Sequence, residues 1–145
     1  MRNFSLRRFQ AGLPGQIGVG CQPKGAMAMQ VIRSSASGAA ARVRTKGASG
    51  VTIRQLITDA NGAPTFAMRL FEVEPKGHTP LHHHGWEHEV FIVAGQGEVR
   101  GERVAAFREG DAVFVPPGEK HQFLNTGRSV LKFICCIPIN EPSCR

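Results

Sequence analysis

Chemistry in this sequence is concentrated in its histidines. Five of the six, His78, His82, His83, His84 and His88, fall within eleven residues, and His121 stands 33 residues beyond His88. In an extended segment side chains alternate, so His82 and His84 share a face about 6.5–7 Å apart. Two imidazoles so spaced can converge on one ion, because each metal–nitrogen bond spans about 2 Å. His88 follows the turn-compatible step His84-Gly85-Trp86-Glu87, which can return a second strand beside the first. His121 follows Pro116-Pro117-Gly118-Glu119-Lys120 and opens another strand. A lone histidine in a β protein is more often solvated or hydrogen-bonded than metal-bound. A His-x-His-x3-His run with a distant fourth histidine is a different pattern. It makes His82, His84, His88 and His121 candidate ligands of a divalent metal, with the adjacent Glu89 as the alternative ligand.

Three neighbours are candidates for a pocket. Phe123 shares a face with His121 and reads either as lining or as core. Trp86, the only tryptophan, sits at the turn between ligands and would rim the mouth or cap the fold. Arg69 lies inside an apolar stretch. Pointing inward it would grip a carboxylate with two hydrogen bonds; pointing outward, the commoner case, it is solvated. His83 points away from His82 and His84, and His78 is loop-borne. No tyrosine is present, which removes the phenolic acid some metal enzymes use. No catalytic acid or base can be nominated.

The elements that must position these residues are strands. Short apolar stretches at 51–57, 66–74, 80–84, 87–94, 98–100, 104–107, 112–115, 120–124 and 130–137 are separated by turn residues. The punctuation is Asp59-Ala60-Asn61-Gly62-Ala63-Pro64, Pro75-Lys76-Gly77, Gly95-Gln96-Gly97, Glu109-Gly110-Asp111, Pro116-Pro117-Gly118 and Asn125-Thr126-Gly127. Gln96 between two glycines reads as hairpin-turn chemistry. No segment beyond residue 51 sustains a helical period, so the predicted class is all-β, a sandwich or barrel.

Length and charge bound the rest. The 145 residues suit one domain. The net charge of +7 is unevenly placed: residues 1–58 carry nine Lys and Arg and no acid, whereas 59–145 carry nine against eleven acids, a balance of −2. Basicity outside the folded part argues against a phosphate-binding groove, so no nucleic-acid partner is expected. No apolar run is long enough to cross a bilayer as a helix. Residues 1–45 form a basic, acid-free extension, 46–140 the domain and 141–145 a tail. The Arg-rich start fits an organellar leader over residues 1–29, a start codon mis-assigned upstream of Met27 or Met29, or a flexible tail; without import the expected location is cytoplasmic. Cys21, Cys135, Cys136 and Cys144 are not spaced as a disulfide framework and read as reduced thiols.

At this point the sequence resembles the cupin superfamily. One of its motifs is complete: Gly110, Pro116, Gly118, His121 and Asn125 stand at the family's spacing. The other is matched by Gly77, His82, His84, His88 and Gly95, with four residues instead of five between Gly77 and His82. Histidine also occupies the usual glutamate position. His88 leaves three residues after His84 and six before Gly95, both as the pattern asks, whereas Glu89 leaves only five before Gly95. Spacing and strand alternation therefore favour His88 over Glu89. The stretch 66–75, Trp86 to Glu89 with Phe91, and Cys135-Cys136-Ile137-Pro138 are similar to small single-domain cupins that bind manganese through four histidines. The resemblance implies a single-domain jelly-roll barrel (a double-stranded β-helix), commonly a homodimer, with Mn(II) inside; Fe(II), Zn(II) and Ni(II) stay open because imidazole suits several metals. The implied function is a metal-dependent enzyme on a small anionic or enolisable substrate, of oxygenase, isomerase or decarboxylase type. The alternative is a non-catalytic metal- or small-ligand-binding module. A third idea, a sugar-phosphate isomerase, requires at least two Lys or Arg near the pocket.

Overall fold

Alternation of apolar and polar residues between Gly- and Pro-bearing turns produces strands. The computed structural model describes residues 29–34 and 39–139, and in them the strands number nine. They are β1 (Ala41–Arg42), β2 (Ser49–Ile57), β3 (Phe66–His78), β4 (His88–Ala94), β5 (Gln96–Arg100), β6 (Val104–Arg108), β7 (Ala112–Val115), β8 (Gln122–Asn125) and β9 (Leu131–Pro138). A single 3-10 turn, Asp59–Asn61, is capped reciprocally by Thr58 and Asn61. Pairing is antiparallel throughout and runs β6-β5-β8-β3-β9-β4-β7, with β2 on the free side of β3 and β1 on β2. The result is a nearly closed, jelly-roll β-barrel, the all-β class read from the sequence.

Period two decides what lies inside. In β4 His88, Val90 and Ile92 are buried while Glu89, Phe91 and Val93 are exposed. Leu131, Phe133 and Cys135 of β9 face the same interior, as do Phe123 and Asn125 of β8. The floor is a row of rings: Phe71 stacks on Phe133 with centroids 5.0 Å apart, Phe133 on Phe123 at 5.0 Å, and Phe123 meets Phe107 at 5.9 Å. Asn125 is buried to 1% exposure and closes the end of β8. It donates to the carbonyls of Val73 and Ser129, both at 2.8 Å, and accepts from the Gly127 amide at 2.9 Å.

Several elements differ from their sequence reading. Pro75-Lys76-Gly77 does not end β3. The strand runs on to His78 through an irregularity opposite Ser49 and Val51, where Lys76 adopts φ 64°. A Cβ on Gly77 would stand 2.7 Å from the Ser49 carbonyl oxygen, so only glycine allows this approach. The kink carries β3 from β9 across to β8, where His78 pairs with Leu124 while still paired with Ser49 of β2. Gln96 is not in a hairpin turn, because β4 pairs with β7 and β9 whereas β5 pairs with β6 and β8; Gly95 is a corner between sheets. Residues 80–84 are not a regular strand: Pro80 has no amide to donate, and only an isolated bridge joins His82 to His121. The barrel also starts earlier than residue 46. Ala41 pairs with Ile53, and the Val43 amide donates to the Val51 carbonyl at 2.9 Å. Residues 1–28, 35–38 and 140–145, with Cys21 and Cys144, lie outside the described residues.

Candidate metal centre

The site is assembled by backbone before any side chain is considered. Beyond β3 the Thr79 amide donates to the Phe123 carbonyl at 2.9 Å, and the Phe123 amide donates back to the Thr79 hydroxyl at 2.9 Å. Three residues on, His82 and His121 exchange two backbone hydrogen bonds of 3.1 and 2.8 Å. The Gly118 amide donates to the His84 carbonyl at 2.8 Å. The loop bearing His82 and His84 is thereby fastened to the loop bearing His121. His88, the first residue of β4, pairs with Val115 of β7 and projects inward beneath them.

The four imidazoles converge. One ring nitrogen from each of His82, His84, His88 and His121 lies within 4.8 Å of all the others. Nitrogens around one ion with bonds of about 2.1 Å stand roughly 3 Å apart at right angles and about 4.2 Å apart across it, so the cluster has the size of a coordination shell. The outward nitrogens set the tautomers. Nδ1 of His82 donates to the Pro80 carbonyl at 2.9 Å, Nδ1 of His84 to Trp86 at 2.7 Å, and Nδ1 of His121 to Glu119 at 2.8 Å. A carbonyl oxygen can only accept, so each Nδ1 holds the proton and each Nε2 lone pair is left for a metal. Nε2 of His84 and Nε2 of His88 are in direct contact. His88 directs Nδ1 at the Cys135 sulfur, 2.8 Å away.

Comparison with known proteins bears on what this fold is. Residues 69–137 match the Cupin domain family. The polyketide cyclase RemF from Streptomyces resistomycificus superposes with a TM-score of 0.72 at 33% identity, covering 79% of this chain and 82% of that one. A cupin-2 domain from Rhodospirillum rubrum superposes with a TM-score of 0.63 at 30% identity, covering 72% and 70%. The chain is a cupin. It is also 36% identical over 85 residues to the 1-methylthio-D-xylulose 5-phosphate methylsulfurylase of Rhodospirillum rubrum, 58% of this chain. The cupin spans 54% of the length of that curated relative.

Electrostatics favour the neutral ring at His84, His88 and His121 of this cupin. Burial lowers the pKa of His84 and of His121, and the carbonyls of Trp86 and Glu119 offset this only in part. His88 is lowered to about 3, first by burial and then by the repulsion that a charge on it would meet from His84, His121, Arg69 and His82. Neutral imidazole is the form that ligates a metal. The donor set therefore fits a divalent ion in number and spacing, with the tautomer fixed by a carbonyl at His82, His84 and His121.

Below the cluster is a cavity of about 310 Å³. His82, His88 and His121 form its head, and Phe71, Phe123 and Phe133 much of its wall. Phe123, 4% exposed, is thus both core and lining. Arg69 points inward and lines the cavity, the inward one of the two orientations that the sequence left open. Its Nη2 donates to the Cys135 sulfur at 3.1 Å and stands 3.5 Å from Nδ1 of His88. Trp86 does not line the cavity; its indole stacks on His84 with centroids 4.4 Å and planes 6° apart. Glu89 is exposed on the opposite face of β4, His83 is exposed, and His78 is engaged by Gln122 at 3.1 Å. The sequence reading overlooked Cys135, although its parity with Leu131 and Phe133 puts it inside. Burial pushes the Cys135 thiol up, against the pull of Arg69.

Proposed function

We propose that this cupin is a divalent-metal-dependent enzyme acting on a small anionic or enolisable molecule. The observation that carries the reading is the convergence of four imidazole nitrogens, within 4.8 Å of one another, at the head of an apolar cavity. His82, His84, His88 and His121 would hold the ion, and when bound it would supply a Lewis acid for a carbonyl or enolate oxygen. Four neutral ligands leave the full +2 charge uncompensated, which favours the divalent state and anionic ligands. The chain's own part is to orient each ring through Nδ1, to exclude water with Phe71, Phe123 and Phe133, and to present Arg69 beside His88. Mn(II) is the proposed ion, with Fe(II), Zn(II) and Ni(II) as alternatives. Relatives support an enolisable substrate: one is named for a polyketide, the other for a phosphorylated ketose.

A second reading, a non-catalytic binding module, is favoured by one specific feature. No Asp, Glu or Lys lines the cavity among the described residues, so apart from ligands and Arg69 its titratable groups reduce to Cys135. A homodimer and a cytoplasmic location are proposals of the same standing; among the described residues no helix is long and apolar enough to cross a membrane.

Two measurements on tag-free protein decide. Elemental analysis should find a divalent metal bound to wild type and to Glu89→Ala but lost from His88→Ala; loss from Glu89→Ala alone would sink the four-histidine site. A panel of carboxylates and enediols, followed for α-proton exchange in D2O and for oxygen uptake, should show turnover that a chelator removes. Tight binding with silence across that panel would favour the module.

A further inference from the structure

Arg69 is a cation without a counter-charge. The two ion pairs among the described residues lie elsewhere, Arg100 with Glu98 at 3.0 Å and Lys132 with Glu72 at 2.8 Å. Its Nε is buried with no hydrogen-bond partner. Only Nη2 meets a polar partner it can donate to, the Cys135 sulfur at 3.1 Å, a weak acceptor for a guanidinium. Arg69 is half-buried, and a partly desolvated charge without pairing is costly. The guanidinium carbon sits 5.3 Å from the centroid of the Phe71 ring, and this contact restricts where the plane can turn.

We propose that Arg69 is the anchor for a substrate carboxylate, so that this cupin takes a short carboxylic acid bearing a second oxygen function close to its carboxylate. The inference rests on the metal-site reading above and goes further by naming the ligand class. Arg69 Nη2 lies 3.5 Å from Nδ1 of His88, on the far side of that ring from the cluster. Arg69 nevertheless lines the same cavity as His82, His88 and His121, so an acid held there occupies the space that opens onto the histidine head. The flat fork of a guanidinium matches a carboxylate in shape and charge. A phosphate dianion would ask for more cations, and Arg69 is the sole Lys or Arg among the cavity-lining residues. The ligand class thus departs from the phosphorylated ketose named by the Rhodospirillum rubrum relative. At about 310 Å³ the cavity is at the lower end of small-molecule sites, which sets the size of the acid.

The test is calorimetric titration of full-length, tag-free protein with pyruvate, lactate, oxalate and inorganic phosphate, in metal-loaded and chelator-stripped forms. Wild type should bind at least one of the acids about tenfold or more tightly than phosphate. Arg69→Gln should weaken that acid about tenfold in both forms while its metal content, read by elemental analysis, stays as in wild type. Should Arg69→Gln not fold, Arg69→Lys carries the test, because it keeps the charge and loses the fork; weakening of about threefold or more is expected. Unchanged affinity in a folded variant, phosphate binding as tight as the acid, or no acid bound by wild type would each overturn the anchor. An Arg69-dependent acid affinity in a protein that binds no metal would leave the anchor standing and remove the metal reading.

Discussion

Nδ1 of His88 faces the sulfur of Cys135 at 2.8 Å, whereas the other three rings of the cluster face backbone carbonyls. The same sulfur accepts from Arg69 Nη2 at 3.1 Å, so one atom orients both a candidate ligand and the anion anchor. Partners of this kind typically carry a factor of about 10 to 100 in metal affinity. Cys135→Ala should lower divalent-metal affinity about tenfold, and Cys135→Ser, which keeps an acceptor, much less. Competition against a chromophoric chelator measures both; equal affinities in wild type and Cys135→Ala would show that packing alone holds the ring.

Asn125 belongs to the histidine-bearing motif, yet its partners are all structural. Asn125→Ala would leave the Val73 and Ser129 carbonyls and the Gly127 amide short of a bond. A cost of about 3 kcal/mol follows, or a drop in Tm of roughly 15 °C for a domain of this size. Calorimetry should show that loss while the metal content of the folded protein is unchanged. A variant with normal stability and no metal would assign Asn125 to the site instead.

Two glycines should respond unequally to alanine. A Cβ on Gly97 would meet the Leu124 carbonyl oxygen at 2.3 Å and Phe107 at 2.8 Å, whereas one on Gly110 meets nothing within 4 Å. Gly97→Ala should cost on the order of 3 kcal/mol through clash. Gly110→Ala should cost about 1 kcal/mol, the penalty of a side chain at its φ of 88°. Urea denaturation ranks the two, and the reverse order would refute the packing of β5 on β8.

Stability of the metal-free protein should fall with acid. His84, His88 and His121 have pKa values lowered by burial, so the unfolded chain binds their protons first as pH drops. Stability rises with pH wherever the unfolded state holds more protons. These rings therefore contribute nothing further above about pH 6.5, and they destabilise the fold progressively from 6.5 towards 3, the value to which His88 is lowered. Urea midpoints at pH 7.5 and 5 should differ in that direction in wild type and less in His88→Gln.

Much of this was legible in the sequence, for identifiable reasons. Turn residues mark nearly every strand boundary, and alternation in β4 separates His88 from Glu89 without coordinates. What alternation could not convey is where a strand bends. The Pro75-Lys76-Gly77 cluster has the composition of a turn, but its function is to kink β3, and that depends on the Ser49 backbone lying beside it. Gly95-Gln96-Gly97 looks like a hairpin because a hairpin and a sheet-to-sheet corner use the same residues. Arg69 is ambiguous in sequence since nothing local tells an inward-pointing guanidinium from a solvated one. The answer lies in β9, 66 residues away, where Cys135 meets it.

The double backbone link between His82 and His121 also bears on how an ion would enter and leave. The two rings are fixed by main chain, and their tautomers are chosen before any ion arrives. Loading then requires little movement of the chain, so its rate should follow how fast each hydrated ion sheds water. Stripping with a chelator should for the same reason leave an intact barrel ready for refilling, unlike small zinc domains that unfold when their ion is withdrawn.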